Sequence, residues 1–149
     1  MATGKVTQVI GTVVDVEFPP DEMPQIYSAL EAQVGGKRLM LEVEQHVGNN
    51  WVRCLALGTT DGLARGVEAE DTGRPISVPV GDPTLGRLFN CLGETLDNLE
   101  EVESDDVWPI HRKPPALSEQ ATTIEVLETG IKVMDLITPF TRGGKVGAY

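Results

Sequence analysis

KVTQVIGTVVDVEF, Lys5 to Phe18, decides the fold class of this chain. Val14, Val16 and Phe18 alternate with Val13, Asp15 and Glu17. Side chains of an extended strand point to opposite faces in turn. A period of two with β-branched residues therefore predicts a strand with one buried face. Gly11 interrupts the run, and a glycine inside a strand pattern marks a bulge or a close bend. Both faces carry apolar residues, Val13 on one and Val14 with Val16 on the other. One face can fill a core; the other needs cover or stands as an apolar patch.

The flanking sequence repeats this pattern. Pro19 to Pro24, PPDEMP, ends the first run in a loop. Two apolar segments then flank Gly35-Gly36, which signals a tight hairpin. Leu39, Leu41 and Val43 alternate with Met40, Glu42 and Glu44. Gly48 to Asn50 turns the chain into WVRCLAL, Trp51 to Leu57, and glycines 58, 62 and 66 punctuate the loop that follows. PISVPVG, Pro75 to Gly81, reads as a last short strand, with prolines that suit a strand end or an edge. About six short strands with Gly-rich turns indicate a small closed barrel or a sandwich. Closure would also remove exposed edges.

After Gly81 the composition shifts. GDPTLGRLFNCLGETLDN reads as a short helix entering a strand, broken at Gly86 and Gly93. Asp97 to Asp106 holds six acids and no base, and without a glycine it cannot be an EF-hand loop; a solvated acidic loop is the reading. WPIHRKPPALSEQ is Pro-rich and extended. TGIKVMDLITPF predicts a short amphipathic helix ended by Pro139, with Met134 as packing material. The apolar side chains of this half, including Leu85, Leu88, Phe89, Ile131 and Leu136, have few partners in the sequence given.

The 149 residues carry 12 basic and 23 acidic groups, a net charge of −11. That balance argues against nucleic acid and against an anionic membrane surface, both of which call for clustered Lys and Arg. Cys54 and Cys91 are too far apart for a C-x-x-C pair, so a reduced intracellular setting is expected rather than a disulfide framework or a zinc site. No apolar run reaches signal-peptide or spanning-helix length.

No catalytic, nucleotide-binding or metal-binding residue is predicted. Aligning G-x-x-x-x-G-K-[ST] on Gly144-Lys145 puts Pro139 at the first glycine and Val146 at the hydroxyl position. Pro139 offers no N–H to a phosphate, and a Val cannot hold Mg²⁺. Asp15 and Glu17 share a strand face and could serve acid–base chemistry, but exposed strand positions explain them. His46 and His111 lack ligand spacing and read as surface or structural residues. Trp51 and Trp108 read as core or interface residues, and Cys54, which alternates with Val52, as a buried inert thiol.

Four stretches carry a resemblance: GKVTQVIGTVVDVEF, VPVGDPTLGRLFNCLGETLDN, PIHRKPPA and ETGIKVMDLITPFTRGGKVG. In order and spacing they resemble the N-terminal portion of the β subunits of bacterial F-type ATP synthases, over Thr3 to Gly147. Arg142-Gly143-Gly144-Lys145 stands where the related noncatalytic α subunits and flagellar export ATPases usually have RGQ. The resemblance implies a mainly β chain. Residues 1–81 would form a six-stranded crown barrel, and 82–149 the incomplete start of an α/β P-loop nucleotide-binding domain. It implies a parent that makes ATP with Mg-ADP, coupled to proton flow. The parent's partners would be α subunits in an alternating hexamer and a central γ stalk, on the inner face of the bacterial plasma membrane. The strand at GGKVG would lead toward the phosphate loop, but Ala148-Tyr149 stand where that continuation is expected. The chain alone is therefore expected to assemble rather than catalyse, without a cofactor of its own. The alternative is the corresponding part of a flagellar or type III secretion export ATPase.

Overall fold

The computed structural model describes residues 2–120 and 123–147. Two compact units divide the chain, Met1–Arg112 and Lys113–Tyr149.

The first unit contains a closed barrel of six antiparallel strands. They are β1 (Thr3–Ile10), β2 (Val13–Glu17), β3 (Ser28–Val34), β4 (Lys37–Gly48), β5 (Trp51–Ala56) and β6 (Glu68–Pro75). Round the barrel the order is β1, β2, β5, β4, β3, β6. The run from Lys5 to Phe18 is thus two strands rather than one. Gly11 takes φ 60°, a left-handed value that glycine adopts without strain, and with Thr12 it turns β1 into β2. The close bend is there; the bulge lies elsewhere, between Val6 and Gln8. Gly35 and Gly36 make the expected two-residue turn between Val34 and Lys37. Asn49 and Asn50, both at positive φ, turn β4 into β5.

Alternation places the core. Val14, Val16, Val52, Leu30, Leu41 and Val43 are each 0% exposed and fill the barrel. Cys54 joins them, its thiol pushed up to about 12 by burial first and by the charges of Asp15 and Glu44 next. Gly4 is needed for space. A Cβ there would stand 2.7 Å from the Phe18 ring and 2.8 Å from the Glu17 carbonyl oxygen.

Two expectations are corrected. The sixth barrel strand is EAEDTGRP, read above as part of a loop; its one fully buried side chain is Ala69. PISVPVG adds no further barrel strand; only its Pro75 belongs to the barrel, as the last residue of β6. Its Ser77–Pro79 (β7) pairs instead with Val107–Pro109 (β8) in a separate two-stranded sheet. The helix expected after Gly81 shrinks to one 3₁₀ turn, Asp82–Thr84, because Gly86 and Gly93 both take positive φ and bend the chain.

In the second unit, Val126–Leu127 (β9) pairs with Phe140–Thr141 (β10) around a six-residue helix, Lys132–Ile137 (α1). The Asp135 carboxylate accepts hydrogen bonds from the Thr129 hydroxyl, the Thr129 N–H and the Gly130 N–H. Those bonds hold its carboxyl below the usual aspartate range, the Thr129 hydroxyl contributing most. The expected amphipathic helix therefore exists, ended before Pro139, but it buries no residue; Leu136 is 85% exposed. Ala148-Tyr149, which stand where the continuation toward a phosphate loop is expected, lie outside the described residues.

Candidate interaction surface

The outward positions of the barrel form rows that cross neighbouring strands. One row runs Gln8, Asp15, Arg53, Gln45. In it Arg53 Nε and Nη2 donate to the two carboxylate oxygens of Asp15 at 2.8 and 2.9 Å. The Asp15 side chain is only 4% exposed beneath the guanidinium, so the expectation of an exposed carboxylate is corrected. The fork raises the basicity of Arg53, through hydrogen bonding to Asp15 first and its charge second. A carboxylate engaged at both oxygens by one guanidinium and almost wholly covered is poorly placed for acid–base work on a substrate. Glu17, its partner in that idea, stands apart and exposed opposite Trp51.

The adjacent row is apolar. Ile10 pairs with Val13, Val13 with Leu55, and Leu55 with Glu42. Ile10 is 59% exposed, Leu55 37%, and Val13 half-buried. This is the second apolar face that the alternation of Val13 against Val14 implied, extended by residues from β1 and β5. Three outward aliphatic side chains in one cross-strand row leave an uncovered stripe on the barrel wall.

The remaining candidates are structural. His46 Nε2 lies 2.8 Å from the Pro24 carbonyl oxygen, and His111 Nε2 lies 3.0 Å from a Glu42 carboxylate oxygen. Trp108 is 47% exposed with the Arg112 guanidinium 3.4 Å from its ring centre, so it is a cation–π platform rather than a core residue. Trp51 is half-buried on the barrel wall. Among the described residues, no three His, Cys, Asp or Glu side chains group where they could hold a metal ion, and no helix is long and apolar enough to cross a membrane. Sequence reading missed Arg53, Glu42 and Tyr27. The available signal was the unlike charge of Asp15 and Arg53 on outward positions, but nothing local says that β2 and β5 are neighbours.

The acidic segment after Gly93 is ordered at one end by Arg87. Its Nε and Nη2 donate to Asp97 at 2.5 and 3.1 Å, and Nη2 also reaches the Glu100 carbonyl oxygen at 2.6 Å. The guanidinium holds the Asp97 carboxyl well below the usual carboxylate range, with the Leu99 and Leu88 N–H groups adding to it. A depressed carboxylate stabilises the fold fully above the pH where a free aspartate titrates, about 4, and stops doing so only as pH falls through its own lower value. The Leu99 amide should therefore keep its bonded chemical shift at pH 4. Loss of that shift with a midpoint near 4 would contradict the ion pair.

The sequence model of the ATP synthase alpha/beta family, beta-barrel domain, matches residues 6–73. The match begins at Val6 in β1 and ends at Gly73 in β6, so it takes in β2 to β5 whole and the greater part of β1 and β6.

Proposed function

We propose that the barrel is an assembly module of a ring-forming ATPase, and that its parent is the β subunit of an F-type ATP synthase. The observation that carries this reading is the outward row Ile10–Val13–Leu55 on a closed barrel whose residues 6–73 match the family's barrel domain. A small barrel buries a modest share of its surface and gains stability from association, and an aliphatic stripe beside a polar row is the surface that association would cover. The four resemblant stretches, and Arg142-Gly143-Gly144-Lys145 above all, favour the β subunit over the export ATPases.

In this reading the partners are α subunits alternating with β in a hexamer, with a γ subunit in the central stalk. The assembled enzyme makes ATP with Mg²⁺ at the inner face of the bacterial plasma membrane, by electrostatic stabilisation of the transferred phosphoryl group. Residues 1–149 contribute cohesion and supply no nucleotide ligand.

Immobilised chain should retain purified α subunit of an F-type ATP synthase and pass a purified flagellar export ATPase. Retention of the export ATPase alone would move the reading to that branch of ring ATPases.

A further inference from the structure

We propose that His111 is the clasp of a strap, residues 76–112, that closes over the barrel wall and can open without unfolding the barrel. The strap is a loop joined at its own base. Its arms pair through β7 and β8, with the Ile110 N–H donating to the Ile76 carbonyl and the Val80 N–H to the Asp106 carbonyl, each at 3.0 Å. Those bonds lie within the strap and do not tie it to the barrel; off the wall they would hold only a lone two-stranded ribbon, which is marginal in water, so their amides report opening.

Among the described residues, two side-chain polar contacts reach from the strap to β4; a third, from the Ser77 hydroxyl to the Pro75 carbonyl oxygen at 3.1 Å, stays at the strap's base. Arg38 meets Glu94 at 2.6 Å, but both side chains are about half exposed, 49% and 51%, where water competes and an ion pair contributes little. His111 meets Glu42 at 3.0 Å, and Glu42 is only 5% exposed although it sits on an outward position of β4. The His111 ring, bonded to that carboxylate, is part of its cover and lies over Tyr27, with centroids 4.2 Å apart at 27°. Tyr27 reaches that place from a left-handed backbone, φ 69°, just before β3. A buried carboxylate left without its donor is costly, whereas an exposed pair is nearly neutral, so of these two polar contacts the one at His111 decides closure beyond the strap's first residue, Ile76, which is anchored separately at 5% exposure.

The position gives the clasp a consequence. Glu42 ends the row Ile10–Val13–Leu55. With the strap closed, that row runs into a covered carboxylate; with it open, it runs into an exposed negative charge. Opening would therefore change what the barrel wall presents beside its aliphatic stripe.

Amide hydrogen exchange on the full chain tests this. His111→Ala should speed exchange of the Ile110 and Val80 amides by about tenfold or more, while the amides of β2 and β5 keep their rates. His111→Gln retains an N–H donor for Glu42, and it should stay within about threefold of the parent, as should Arg38→Ala. Unchanged Ile110 and Val80 exchange in His111→Ala overturns the proposal. So does equal acceleration of the β2 and β5 amides, since the contact would then hold the barrel itself.

Discussion

Leu41→Ala should destabilise the barrel by about 2–5 kcal/mol and leave it close to unfolding at room temperature. Leu41 is 0% exposed and lies in β4 between Leu30 of β3 and Ala56 of β5. Deleting three of its carbons removes apolar contact and leaves a void. Inward neighbours on three hydrogen-bonded strands cannot collapse into it without breaking register. Domains of this size have stabilities near the low end of about 5–15 kcal/mol, so the loss is a large share of the total. Leu55→Ala, one position before Ala56 but facing outward at 37% exposure, should cost under about 1 kcal/mol. Urea unfolding followed by circular dichroism separates the two. Equal midpoints for both variants would mean that Leu41 does not fill the barrel.

How much was legible in advance follows from what kind of information each element needs. The turns at Gly35-Gly36 and Asn49-Asn50 rest on backbone conformations that only a few residues tolerate, so they show in the sequence itself. The inward set Val14, Val16, Val52 and Cys54 shows because burial on one face writes a period of two. The closing strand leaves almost no such trace. EAEDTGRP buries Ala69 fully, and its other positions are three acids, a threonine, a glycine, an arginine and a proline, because closure requires its backbone hydrogen bonds to β1 and β3 more than its side chains. PISVPVG shows the opposite failure: its alternation is real, but it pairs with Val107–Pro109, some thirty residues later in the chain. The same non-locality hid the Asp15–Arg53 fork and the Glu42–His111 contact. Each joins residues whose adjacency depends on the whole strand order, and no short window carries that.

The interaction surface itself was half legible. Val13 against Val14 implied a second apolar face, but Ile10 and Leu55 complete it only once β1, β2 and β5 lie side by side. If that row is an assembly surface, a charge placed in it should act on association and leave folding alone. Leu55→Asp puts a carboxylate into the stripe, directly opposite Val13. Desolvating it against an aliphatic partner should weaken association by about thirtyfold or more. Its urea midpoint should stay near that of the parent, because residue 55 contributes little to the core. A loss of stability as large as that of Leu41→Ala would instead make residue 55 a core position.

The most direct test of assembly through this barrel is the mass, by light scattering, of the parent chain mixed with a purified α-subunit barrel. At high micromolar concentration the mixture should run as a mixed oligomer, and the same mixture made with Leu55→Asp should run as two separate monomers. Two separate monomers with the parent chain would contradict the account, whatever the variant does.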